Sequence, residues 1–384
     1  MEMFFTHERL DDFLIIEEKL KQKGILLDPQ DIHSDHSTRL INYSIEPNKK
    51  FKCLLDRNVV SYLISLVNGL DLSSVKEAGC YREVAGLQAF LSAANIESEA
   101  CMAYHEYIDV NGIDKADNEL ASFRTADNLN ANIYLDIALG KLNVISSSDL
   151  SVFEKGELLG AQLPERLALF EKNIVIVKKA LTLKEQGLTN YQTMLELVDW
   201  LYSDYFFSAP AFHFLSLYFS TEKVSGMIKS KSLKEVRNAT WDITYLQQLA
   251  KVCQHDDEIW LFSTFDKAIK KTADLLFVRY DELEDDYFNR LEQSYSTMWG
   301  KKNGYGRKLL SKLAQFAERG DNPDRKVNIH KGSADYQLNI SPLCHPLEKV
   351  VFTNLCHFSK LVKTGMTYDN SIRFSRSSKS TSRR

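Results

Sequence analysis

The 384-residue chain lacks the signals that most quickly narrow a function. No stretch approaches the roughly 18 consecutive apolar residues that cross a bilayer as a helix. Its opening, MEMFFTHERLDDF, takes on acids at once where a secretory leader would carry an apolar core. A cytoplasmic protein with no membrane partner is therefore expected. The 6 cysteines form no CxxC pair, and Cys53, Cys101 and Cys253 lie inside apolar segments. That is the pattern of reduced core thiols, not of a disulfide framework. A positive charge excess is also missing: 48 Lys and Arg face 52 Asp and Glu, a formal net charge of −4. Any polyanion would have to be held by local basic patches or bound cations. There is no internal repeat and no GxxxxGK[ST] loop, so a P-loop nucleotide hydrolase is not expected.

What is present is an ordinary globular composition, 44% hydrophobic and 26% charged, in a chain long enough for one large or two ordinary domains. The most informative stretch is Phe51–Leu63. Phe51–Leu55 reads as a short buried strand, Asp56 stands where it stops, and Asn58 stands where a helix should start. The same grammar recurs later: Ile259–Thr264 reads as a buried strand, followed by Phe265, Asp266 and a helix over Lys267–Phe277. Just before it, Asn238–Asp242 reads as the opening of a helix that continues on Ile243, Leu246, Leu249, Ala250 and Cys253. The periodicity predicts helices over 7–23, 73–94, 117–139, 164–186, 190–203 and 211–219. Asn95–Glu99 is expected to be a short extended or turn segment, with a further helix carrying Ala103, Glu106 and Tyr107 up to Gly112.

Asp56, Asp242 and Asp266 thus each fall at an expected helix start. Acids there are favoured by capping and by the helix dipole, and each Asp taken singly has that reading open to it. Taken together they have another, because the carboxyl ends of strands in an open α/β sheet are where ligands bind.

At this point the residues resemble a known family. Leu54-Leu-Asp-Arg-Asn-Val-Val60 is similar to the opening motif of PIN-domain nucleases, a hydrophobic strand followed by Asp-x-Asn-Val. Asp242–Ala250 resembles that family's later helix, and Leu261–Lys267 its closing strand with Thr-x-Asp-Lys. The likeness covers residues 51–110 and 236–278. It implies an α/β fold, a PIN-like three-layer α/β/α core with a central parallel sheet over 51–112 and 236–280. Around it lie a helical lead-in (1–50), a helical insertion (113–235), a mainly helical C-terminal extension (281–370) and a basic, compositionally disordered tail (371–384). The insertion is the chief departure, since a compact PIN domain needs no such gap. The family also places an acid on an intervening helix. Glu106 fits its Ala-x-x-Glu pattern, and Glu99, seven residues earlier, is the alternative.

The resemblance implies that Asp56, Glu106, Asp242 and Asp266 hold Mg²⁺ or Mn²⁺, hard cations that carboxylates suit. Asn58 and Thr264 would steady the first and last of these acids from behind. The implied activity is metal-dependent hydrolysis of phosphodiester bonds, with RNA favoured over DNA as substrate. A homo-oligomer or a regulatory protein partner would be compatible with it. The competing reading is a noncatalytic PIN-like scaffold whose Asp residues only cap helices. Gly300–Lys308, a basic glycine-rich helix entry, offers either a phosphate contact or a solvated loop. Cys344-His345 and Cys356-His357 match no zinc spacing.

Overall fold

The structure, a computed structural model, describes residues 8–29, 49–151, 153, 163–222, 224, 227–229, 232–254, 257–279 and 282–318. The expectations for residues 30–48 and 319–384, which include the two Cys-His dipeptides and the basic tail, lie outside the described residues.

The sheet is built from the two apolar runs the sequence singled out. β2 (Lys50–Leu55) and β4 (Glu258–Ser263) run parallel, with Phe51 opposite Ile259, Cys53 opposite Leu261 and Leu55 opposite Ser263. β3 (Glu97–Glu99) adds in parallel on the far side of β2, and β1 (Leu26–Leu27) pairs antiparallel with β4. The order is β1-β4-β2-β3. β4, β2 and β3 are parallel, the antiparallel β1 at the edge makes the sheet mixed, and the chain is a mostly helical α/β protein around it. The reason lies at Gly24, whose left-handed backbone (φ 57°) ends α1 (Leu10–Lys23) and turns the chain straight back beside β4. A strand of two residues carries no alternation to read.

Helices cover both faces. Phe51, Cys53, Leu55 and Leu261 point into one core with α1, α2 (Arg57–Val67), α3 (Ala78–Ala93), α4 (Cys101–Asn111), α5 (Ile113–Asp127) and α6 (Ala131–Ala138). Leu54, Trp260 and Phe262 point the other way. There they meet α7 (Leu163–Glu185), α8 (Asn190–Ser203), α9 (Ala209–Phe219), α10 (Leu233–Val252), α11 (Lys267–Leu276), α12 (Glu284–Trp299) and α13 (Tyr305–Glu318). Burial on both faces explains why the strands read as continuous apolar runs. Residues 113–235 are divided between the two cores: α5 and α6 pack on α2 and α3, whereas α7 packs on α10.

Two local departures from expectation bear on the site. The helix holding Asp242 begins nine residues earlier than that Asp, at Leu233, with the Ser232 hydroxyl accepting from the Glu235 amide. Asp242 therefore sits inside a helix and not at its start. Between α12 and α13, a side chain at Gly306 would lie 2.4 Å from the Tyr295 carbonyl oxygen. That glycine permits close helix packing, which accounts for the glycine-rich entry without a phosphate.

Candidate active site

Asp56 follows directly from β2. Its amide donates to the Ser263 carbonyl at 2.9 Å, which continues the parallel ladder one residue beyond the strand and fixes the backbone of the corner. The carboxyl is buried at 5% exposure and accepts from the Thr264 hydroxyl at 2.7 Å. The same Thr264 oxygen accepts from the Asp266 amide at 2.9 Å. One hydroxyl thus ties the ends of two strands together through side chains 208 residues apart in sequence. Asp56 itself occupies the N-cap position of α2, one residue before the helix begins at Arg57. Asn58, expected at the helix start, lies in the first turn and is exposed, where its side chain helps hold the Asp56 charge. Thr264→Val removes both bonds and is expected to cost about 1–2 kcal/mol in urea unfolding, two ordinary side-chain hydrogen bonds. An unchanged midpoint would contradict this role.

Asp266 opens α11, and its Oδ1 accepts from the Ala268 and Ile269 amides at 2.5 and 3.1 Å. Glu106 projects from α4 and Asp242 from α10. These two helices are held side by side by Asp109, one turn beyond Glu106. Asp109 takes the Arg237 guanidinium at 2.8 Å and the Trp241 indole N–H at 3.3 Å. Trp241 is itself buried against Phe170 at 4.4 Å between ring centres. The clamp sets Asp242, the next residue, toward the strand ends.

Three of the four expected acids, Asp56, Glu106 and Asp242, are perturbed by burial and by charges within the set. Burial and then the Asp266 charge raise the Asp56 carboxyl to about 6, against the restraint of its Thr264 bond. Burial and the Asp56 charge raise Glu106 to about 8. Asp242 is pushed well above the usual carboxylate range by burial and by Asp266, Asp56 and Glu106. Glu99 is drawn elsewhere: its carboxyl accepts from the Cys101 amide at 2.8 Å, at the start of α4. The cluster therefore includes Glu106.

The sequence did not point to three side chains around these acids. Tyr245, one turn beyond Asp242, is buried at 1% exposure with its hydroxyl turned to Glu106, short of a closed hydrogen bond. Arg57 pairs with Glu119 and lies 4.1 Å over the Tyr107 ring, from where its charge partly offsets Glu106. Arg237 acts through Asp109. The only sequence signals for them are spacing and adjacency: Arg57 beside Asp56, and Tyr245 at i+3 from Asp242.

The donor set is chemically that of a hard divalent cation, carboxylates alone, with a mutual repulsion that such a cation relieves. Among the described residues no group of three or more His, Cys, Asp or Glu side chains is arranged to hold a metal ion. The fit is thus one of charge and ligand type. The chain matches no protein-family model, and it has no match among curated proteins or solved structures.

Proposed function

We propose that the chain is a metal-dependent nuclease that hydrolyses phosphodiester bonds, with RNA favoured over DNA. One observation carries the proposal. Four acids from four separate elements, Asp56, Glu106, Asp242 and Asp266, lie near the carboxyl ends of β2 and β4, and burial together with charges of the set raises the proton affinity of the first three. A fold stabilised for its own sake gains nothing from such a cluster, and perturbed carboxylates mark functional sites more often than structural ones. The preference for RNA rests on the likeness of Leu54–Val60 and Leu261–Lys267 to PIN-domain motifs.

Asp56, Asp242 and Asp266 would hold Mg²⁺ or Mn²⁺, with Glu106 completing the set. When bound, such an ion polarises a phosphate and makes water a nucleophile near neutral pH. The remaining work belongs to the chain. Thr264 holds Asp56 in one orientation, the Asp109 clamp holds the helices carrying Glu106 and Asp242 in register, and the Tyr245 hydroxyl faces Glu106. Glu106 keeps a proton at neutral pH while no cation faces it, and gives it up as positive charge arrives.

The noncatalytic alternative draws support from Asp266, which caps α11 with one oxygen. It has no account of Asp242, which caps nothing. The deciding measurement incubates the purified chain with single-stranded RNA and DNA, with Mg²⁺ or Mn²⁺ and with chelator. Cleavage that needs the metal and is faster on RNA is expected. Cleavage indifferent to chelator, or none with either metal, would sink the proposal.

A further inference from the structure

The half-buried rings of Tyr62, Tyr81 and Phe265 meet one another, and Phe265 joins them to the Asp266 corner. Phe265 is the residue between Thr264 and Asp266. Tyr62, in the second turn of α2, meets it edge to face at 5.7 Å and meets Tyr81, in the first turn of α3, at 4.6 Å. The interplanar angles are 85° and 74°, so no pair in the trio is stacked. All three also pack against the core beneath them, with one part of each ring left outside it. These three keep part of their surface in solvent along the edge marked by Phe265, the chain neighbour of Asp266.

Cations lie along the same edge. Lys270, one turn beyond Asp266, donates to the Lys23 carbonyl at 3.3 Å, at the C-terminus of α1. Arg82, next to Tyr81, is held by the Ile137 carbonyl at 2.6 Å and the Asn143 side-chain oxygen at 2.6 Å. These neutral oxygens fix the guanidinium and leave its charge uncompensated. Lys23 reaches Glu83 at 3.1 Å, yet the set of Lys23, Lys270 and Arg82 stays positive after that pairing. A groove of about 260 Å³ runs from there between α1 and α3 over an apolar floor of Ile16, Leu20 and Ala138.

We propose that Tyr62, Tyr81 and Phe265 form a stacking subsite for unpaired bases of a single-stranded nucleic acid whose phosphates follow Lys270, Lys23 and Arg82 away from the acids. The inference rests on the nuclease reading and adds to it the form of substrate. Every base has a π-face, and only an unpaired one is free to lay it on a side chain. The cations supply the local patch that a chain of net charge −4 needs to hold a polyanion. A duplex keeps its bases stacked on each other and meets only the cations.

The test uses the full chain with Ca²⁺ in place of Mg²⁺ and a fluorescein-labelled single strand of about 20 nucleotides, read by anisotropy. Tyr81→Ala and Phe265→Ala are each expected to weaken binding about ten-fold, Tyr81→Phe to stay near the parent, and a matched duplex to change little. As a measurement that needs no variant, an iodouridine-labelled strand photocrosslinked to the unaltered chain is expected to mark peptides containing Tyr62, Tyr81 or Phe265. Folded variants that bind as the parent, with crosslinks elsewhere and cleavage intact, overturn the subsite and leave the nuclease reading standing. No binding and no cleavage by the unaltered chain overturns both. Loss of an acidic peptide, and not of the strand, on the same substitutions overturns the nucleic-acid assignment.

Discussion

Asp242→Asn is expected to lower metal-dependent cleavage by roughly a thousand-fold or more while making the metal-free protein more stable. The two effects have one cause. The carboxamide keeps the shape of Asp242 and removes the charge that Asp266, Asp56 and Glu106 oppose. Because Asp242 lies inside α10 and accepts no cap bond, the substitution disturbs no helix end. Asp56→Asn is expected to act likewise on activity, since the Thr264 hydroxyl can still donate to the remaining side-chain oxygen. Cleavage is followed on labelled single-stranded RNA, and stability by urea unfolding in chelator. A variant that keeps its rate, or that loses stability together with rate, would show Asp242 to be a structural residue.

The second large effect is a dependence of stability on pH. Glu106 has a folded-state pKa of about 8, raised by burial and by Asp56, and Asp56 has one of about 6. A carboxyl raised on folding binds its proton more tightly in the native state than in the unfolded chain. Its contribution is therefore fully present below the unfolded pKa, near 4.3 for Glu, and is lost as pH climbs through the folded value. For Glu106 the window runs from the ordinary glutamate range up to about 8. In chelator, the protein is expected to lose stability across that window, and Glu106→Gln to flatten the slope and gain on the order of 2 kcal/mol at pH 8. Adding Mn²⁺ to the parent at pH 8 is expected to restore part of the loss, because binding to the native state alone stabilises it. A flat profile in the parent would remove the electrostatic basis for the site.

Much of the site was readable because each strand corner announces itself. Leu54-Leu55-Asp56 and Phe262-Ser263-Thr264-Phe265-Asp266 place an acid after a buried apolar run, and the sheet brings those two corners together through one Thr264 hydroxyl. Asp242 was found from its motif but placed in the wrong local setting. Asn238 resembles a helix start, yet Ser232 caps the helix and Trp241, Ile243 and Tyr245 continue its buried side. Packing decided between two possible caps, and packing is not written locally. The long helix over Asn173–Lys178 shows the reverse case, where β-branched residues that favour a strand are held helical by their buried face. Tyr245, Asp109 and Arg237 went unread for a related cause. Each owes its role to a partner more than 100 residues away or to one turn of a neighbouring helix, and neither relation leaves a local pattern. The two-residue β1 strand, which makes the sheet mixed, is too short for any pattern at all.

The bond between Thr264 and Asp56 also sets a clock. As the ribosome delivers the chain from its N-terminus, Asp56 emerges 208 residues before the hydroxyl that orients it. At ordinary elongation rates of about 5–20 residues per second, that is an interval of roughly 10–40 s. For nearly all of it β2 has no β4 to pair with, and Asp266 is made only after it ends. The Asp56 corner therefore waits for its partner strand until about two hundred further residues have been made.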